Sequence, residues 1–252
     1  MNHDKTLLVY GLHAVHATLT RAATDVLELW IRHGADSREL EALAELAQRS
    51  GVNPQRVTAD VLDRFTAGAT HQGVVVRRRP PSQLNLEDYL GQLASRRNPA
   101  LLMVIDQVQD PHNLGACLRV ADAAGADAIV VTKDRSASVT SAVAKVASGA
   151  LDTVPLIGVT NLARALQDLK AAGIWLVGAV HGVPGTIYAL DLKGPIAWVI
   201  GGEGRGLRRL TRDSCDFLAS IPMRGQVASL NLATAAAVCL YETVRQRGSD
   251  TR

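Results

Sequence analysis

Residues 196–233 read IAWVIGGEGRGLRRLTRDSCDFLASIPMRGQVASLNLA, and this stretch decides the fold. Two apolar runs, Ile196–Ile200 and Phe217–Ile221, have the length and composition of buried strands. Each empties into a loop of small and polar residues, Gly201-Gly202-Glu203-Gly204-Arg205-Gly206 after the first and Arg224-Gly225-Gln226-Val227-Ala228-Ser229 after the second. A long helix is predicted over Ser229–Arg247, with Ser229 as its N-cap. Loops at the carboxyl ends of buried strands line a crevice in an open α/β sheet. Glycine lets backbone approach a ligand closely, so its N–H and C=O groups can read that ligand. Glu203, set among glycines, is hard to explain by packing, and the chemistry is expected here.

Upstream, the same alternation begins at Ala100. Predicted strands are Leu101–Ile105, Ala128–Val131, Val154–Ile157 and Ile174–Val180, with helices at Leu114–Ala124, Thr140–Ala150 and Leu162–Ala172. Apolar strands separated by helices imply a mostly parallel sheet covered on both faces. Residues 1–79 form a smaller α/β unit, with strands at Leu7–Tyr10, Val26–Ile31, Arg56–Thr58 and Gly73–Val76. Its second helix is expected to open on a capping box of Asp36 and Glu39. Residues 80–99 read as a linker with a short helix near Leu86–Leu93, because RRRPP marks a break in the pattern. Arg77-Arg78-Arg79 fits equally a solvated strand end and a contact with phosphate.

The 27 Lys and Arg against 24 Asp and Glu leave a net charge of only +3, so any nucleic-acid surface must be a local patch. Aromatic residues make up 4%, too few for a broad base-stacking platform. The three cysteines, Cys117, Cys215 and Cys239, lack metal-ligand spacing and read as buried thiols in a reducing compartment. No signal-peptide pattern and no membrane-length apolar run is present, so a soluble cytoplasmic protein without a membrane partner is expected.

Familiar nucleotide signatures are absent. Leucine at 207 breaks a G-x-G-x-x-G reading of the loop, and no Walker sequence occurs. His13 and His16 are helically spaced but lack a third ligand, so no metal site is expected. Three polar clusters remain at strand ends. Asp110–Arg119 opens a helix in which Asn113 serves equally well as a simple cap. Within it, Arg119 sits among Leu118, Val120 and Ala121 and calls for an anionic or carbonyl partner. The other clusters are Gly201–Gly206 and Ser229-Leu230-Asn231-Leu232-Ala233.

N-x-G-A-x-x-R at 113–119, G-G-E-G-x-G at 201–206 and I-P-M…S-L-N-L-A at 221–233 together resemble, in order and spacing, the motifs of the SpoU family of RNA ribose 2′-O-methyltransferases. The likeness extends to His71-Gln72-Gly73 in the N-terminal unit. It implies a C-terminal domain over 100–252 with a deep trefoil knot, which no periodicity reveals and which general topology rules disfavour. It also implies S-adenosylmethionine at the knot, a homodimer through the C-terminal domain, and an RNA-binding N-terminal domain similar to ribosomal protein L30e. The implied activity is methylation of a guanosine 2′-hydroxyl in 23S rRNA. A tRNA ribose methyltransferase and a non-catalytic RNA-binding ribosome-assembly protein are the alternatives.

Carried over by motif position, Asn113, Arg119, Glu203, Ser229 and Asn231 are the implied catalytic residues. Gly201, Ile221 and Leu230 are the implied cofactor-binding ones. In this scheme Arg119 acts at the 2′-hydroxyl and the adjacent phosphate. A guanidinium is almost never deprotonated, which favours stabilisation of the developing alkoxide over literal base action.

Overall fold

The computed structural model of the chain describes residues 6–34, 37–82, 84–93, 98–134, 136–202 and 206–248. They fall into two compact units, Met1–Ser82 with Val139–Thr153, and Gln83–Ser138 with Val154–Arg252.

The first unit is built on β1 (Leu7–Tyr10), β2 (Val26–Arg32), β3 (Pro54–Val57) and β4 (Val74–Arg78), in the spatial order β1-β4-β2-β3. β4 runs antiparallel to both its neighbours, while β2 and β3 are parallel. The helices α1 (Leu12–Arg21), α2 (Arg38–Arg49) and α3 (Ala59–Thr66) complete the alternation. Leu40, Leu43, Ala44 and Ala47 of α2 are all buried, as their helical spacing predicts. The cap of α2 is Ser37, whose hydroxyl accepts the Leu40 N–H and donates to Glu39. Asp36, expected to open the capping box, lies outside the described residues.

His71-Gln72-Gly73 holds a turn. Gln72 Oε1 accepts the Leu12 N–H at 3.0 Å and so caps α1. Nδ1 of His71 accepts the Gly73 N–H, which leaves Nε2 to donate to Asp63 at 3.1 Å.

The arginine run lies at the end of β4, with Arg77 and Arg79 exposed as a solvated strand end would have them and Arg78 buried. Arg78 is only 2% exposed; its guanidinium meets Asp152 at 2.5 Å and Asp25 at 3.5 Å, and its Nε donates to the Arg79 carbonyl. Arg77 pairs with Glu28 and lies over the Trp30 ring. Arg79 donates to the Thr24 carbonyl. The run ties its own unit together.

In chain order, the remaining elements begin with α4 (Leu86–Gln92), β5 (Leu101–Asp106), α5 (Pro111–Ala123), β6 (Ala128–Thr132) and α6 (Ser141–Ala147). They continue with β7 (Leu156–Val159), α7 (Leu162–Ala171), β8 (Trp175–Ala179), β9 (Ile196–Gly201), α8 (Arg209–Ser214), β10 (Phe217–Ala219) and α9 (Leu232–Gly248). Of these, α6 belongs to the first unit and the rest to the second. The second unit carries a six-stranded sheet in the order β10-β8-β9-β5-β6-β7, parallel at every pairing. Every residue of β5 and β6 is buried, as expected of strands covered on both faces.

One face of this sheet presents Leu102, Val104, Val130 and Val199 to Leu162, Leu166 and Leu169 of α7 and to Tyr89 of α4. The stretch expected to be a linker helix therefore contributes to this core. On the other face Trp198 donates its indole N–H to Thr243 of α9 at 2.9 Å, and α5 packs along α9. Several sequence boundaries shift by one to three residues, two of them beside the third polar cluster. β10 ends at Ala219 rather than Ile221, and α9 begins at Leu232, because Asn231 rather than Ser229 caps it.

Candidate active site

The site is assembled at the carboxyl ends of β5, β9 and β10. β5 pairs with β9 to its last residue, setting Asp106 opposite Gly201. The chain then leaves β5 through Gln107, which takes a positive φ of 74°, unusual for a side chain of that size. Asp106 is buried. Its carboxylate accepts the backbone N–H of Arg208 at 3.0 Å and the Arg208 guanidinium through Nε at 2.7 Å and Nη2 at 2.6 Å. Its carbonyl accepts the Gly202 N–H. This bidentate, charge-assisted clasp closes the loop that the glycines open.

The glycines themselves serve the loop. A Cβ on Gly201 would collide with the backbone of Gly206 and Leu207, and one on Gly202 with the carbonyl of Gln107. Gly202 and Gly206 form an antiparallel bridge across the turn. The close approach anticipated toward a ligand is thus used first by protein backbone. Glu203, the expected acid of this loop, lies outside the described residues.

Asn113 and Asn231 come together. Asp110, not Asn113, caps α5: its carboxylate accepts the His112 N–H at 2.8 Å. That backbone hydrogen bond is the main reason its carboxyl is held below the ordinary carboxylate range. Asn113 is buried on the side of α5 that faces α9 and accepts the Asn231 side-chain amide at 2.9 Å. The orientation of Asn231 is forced, because its Oδ1 accepts the N–H groups of Ala233 and Thr234 and leaves Nδ2 for Asn113. Two motifs far apart in sequence are joined by this one bond.

Arg119 is not at that junction. It is exposed on α5 and has no hydrogen bond or ion pair among the described residues. The sequence reading asks for an anionic or carbonyl partner for Arg119, and none is found among the described residues. Leu118, Val120 and Ala121 are its neighbours in sequence, whereas Ala116 and Ala123 share its side of the helix. Ser229 is exposed in the loop before α9, and Ile221 and Leu230 are half-buried at its two ends.

Among the described residues, no backbone group of 221–230 takes part in a backbone hydrogen bond. The stretch 224–229 is exposed, and Ile221, Pro222, Met223 and Leu230 are half-buried. No group of three or more potential metal ligands is found among the described residues. Burial pushes the Cys117, Cys215 and Cys239 thiols up to about 12, which removes them as nucleophiles. Asp106 and Arg208 are the participants that the sequence motifs do not mark. The one available signal was a carboxylate ending the wholly apolar run Leu101–Ile105.

A parallel sheet whose polar loops gather at the ends of its central strands defines an α/β ligand-binding class. Residues 100–241 match the SpoU rRNA Methylase family, and residues 8–84 match the family described as RNA 2′-O ribose methyltransferase substrate binding. The first match spans more than half of the 252 residues, and the chain belongs to the SpoU rRNA methylase family. It is 49% identical over 240 residues to the 23S rRNA (guanosine-2′-O-)-methyltransferase RlmB of Haemophilus influenzae, covering 95% of this chain and 97% of that protein. It is 50% identical over 241 residues to the RlmB of Vibrio cholerae, with the same two coverages. The SpoU methyltransferase AviRb from Streptomyces viridochromogenes, solved in complex with the cofactor AdoMet, superposes with a TM-score of 0.78. The two are 27% identical, with 97% of this chain and 91% of that one covered.

Proposed function

We propose that this protein transfers a methyl group from S-adenosylmethionine to the ribose 2′-hydroxyl of a guanosine in 23S rRNA. Relatives named for that reaction, nearly half identical over 95% of the chain, support the reading. The structural observation that carries it is the Asn231–Asn113 hydrogen bond, which joins the first and third motifs beside the half-buried loop 221–230.

The cofactor, when bound, supplies a methyl group already activated by its sulfonium. Gly201, Ile221 and Leu230 would hold it through backbone groups, with the apolar side chains of Ile221 and Leu230 available to its adenine. What remains for the protein is alignment, worth up to about 7–11 kcal/mol, and help in removing a weakly acidic proton. Asn113 and Asn231 fix the ends of α5 and α9 and so set the floor on which the ribose rests. Arg119, free of internal partners, receives the RNA phosphate and stabilises the alkoxide as it forms. Glu203 and Ser229 complete the catalytic set by motif position.

The same reading includes the trefoil knot and a homodimer formed through the second unit. The first unit is assigned to RNA binding and the second, with α4 in its core, to catalysis, in the cytoplasm where ribosomal RNA is made. Incubating the purified protein with labelled S-adenosylmethionine and unmethylated 23S rRNA tests the proposal. The expected product is one guanosine with a methylated 2′-oxygen. Incorporation into tRNA alone would shift the substrate assignment, and no incorporation into either would leave an RNA-binding protein.

A further inference from the structure

A second opening lies at the same edge of the sheet, beyond the ends of β5, β6 and β7. It is a cleft of about 540 Å³ whose lining includes Gln107, Thr132, Asp134, Thr160, Arg208 and Arg209. None of the residues assigned to the cofactor or to catalysis lines it. That volume falls in the range of sites for small organic ligands, about 300–1,000 Å³.

Some of the lining is already engaged. Asn161 caps α7 through its Oδ1, Thr132 shares a hydrogen bond with Ser136, and Arg208 is clasped by Asp106. Arg209 and Thr160 are exposed and have no side-chain partner among the described residues. Arg212, one turn further along α8, is likewise exposed and unpaired among them. Leu210 lies beside the arginines and is 67% exposed, an apolar surface within a cationic rim.

The combination suits one kind of ligand. Arg208 is neutralised by Asp106, so the anion-selecting group of the lining is Arg209, which favours a phosphate placed on its side of the cleft, away from Asp134. Hydroxyl and amide groups of the lining match the edges of a ribose or a base, and an exposed leucine offers a base an apolar face. Arg208 belongs both to this cleft and to the clasp with Asp106, and the carbonyl of Gln107 lies against Gly202, so the cleft adjoins the start of the glycine loop.

We propose that the cleft is a nucleotide subsite, which receives a residue of the substrate RNA next to the one that is methylated and holds its phosphate on Arg209. This assignment rests on the methyltransferase reading given above. It adds a place where flanking sequence is bound outside the motif residues.

Two variants of the full-length protein test it, Arg209→Ala, which removes the phosphate contact, and Thr160→Trp, which fills the cleft without altering charge. Both positions are exposed, so the fold should tolerate either change. The readouts are the affinity for in vitro transcribed 23S rRNA, its salt dependence, and calorimetric affinity for S-adenosylmethionine. Each variant is expected to weaken RNA binding by about tenfold or more while leaving cofactor affinity within about twofold. Arg209→Ala should also lower the salt slope by about one. Unchanged RNA affinity in Thr160→Trp would overturn the proposal, since Arg209 would then act only through the general field. Loss of S-adenosylmethionine binding in either variant would also overturn it, by making this cleft the cofactor site. Wild-type protein that binds S-adenosylmethionine yet neither binds nor methylates the RNA would sink the broader functional reading instead.

Discussion

The chain has two arginine-rich stretches, and they are used in opposite ways. Arg77-Arg78-Arg79 sits in and beside a strand and is consumed by its own unit, through Glu28, Asp25, Asp152 and main-chain carbonyls. Arg208, Arg209 and Arg212 all have exposed side chains at the start of α8, and of these only Arg208 is tied down, by Asp106. A run of positive charge in a sequence is therefore not yet a nucleic-acid surface. What decides is whether carboxylates from elsewhere in the fold have already neutralised it. By that criterion Arg209 and Arg212 of α8 keep charges unmatched among the described residues, whereas Arg77 and Arg78 are matched by carboxylates of their own unit.

The contrast can be broken by substitution, and the largest effect is expected at Arg78. Arg78→Ala would leave Asp152, whose side chain is 5% exposed, without its guanidinium partner. Removing one member of a buried pair costs about 3–5 kcal/mol, and a urea or thermal unfolding series should show a loss of that size. A loss below about 1 kcal/mol would mean that Arg78 is not enclosed as described.

Asp106→Asn should have an intermediate effect. Arg208 is 46% exposed, so screening reduces the direct contribution of the pair to about 1 kcal/mol. The expected signature is functional, a weaker S-adenosylmethionine affinity from a loosened glycine loop in a protein that still folds. Unaltered cofactor affinity would show that the clasp does not position the loop. Arg212→Ala should change stability by no more than about 0.5 kcal/mol, as is usual for an exposed, unpaired side chain. A larger destabilisation would place α8 with the first arginine stretch rather than opposite it.

The smallest effect concerns the thiols. With burial holding Cys117, Cys215 and Cys239 up to about 12, almost no thiolate exists at pH 8. Iodoacetamide should therefore leave the native protein unlabelled over an hour and modify it rapidly in denaturant. Fast labelling of the folded protein would expose an error in the packing around α5, α8 or α9.

Much of the architecture was legible in the sequence because apolar runs bounded by glycine and polar residues mark parallel strands directly. The helix stripe of Leu40, Leu43, Ala44 and Ala47 and the positions of β5, β6, β8 and β9 followed from periodicity alone. Partners distant in the chain were not legible. Nothing near Arg78 announces Asp152, and nothing near Asp106 announces Arg208, since ion pairs between remote residues leave no local pattern. The exposure of Arg119 follows from helical phase rather than from its sequence neighbours. Its sequence neighbours are apolar, but on a helix the residues three and four positions away share its face, and that phase already pointed outward. The start of α9 was missed by two residues because serine and asparagine are equally good caps, and only the hydrogen bonds to Ala233 and Thr234 choose between them.

The measurement that bears most directly on the proposed chemistry is the single-turnover methylation rate of Arg119 variants. Because Arg119 is exposed and unpaired among the described residues, its replacement should leave the fold and S-adenosylmethionine binding intact. Arg119→Ala is expected to slow methyl transfer by at least about 10²-fold, the scale of losing a key charge-stabilising donor. Arg119→Lys should remain strongly impaired, because a point charge does not reproduce the planar fork that grips phosphate and alkoxide together. A wild-type rate in Arg119→Ala would contradict the account and return Arg119 to the helix surface as a residue without a part in the reaction.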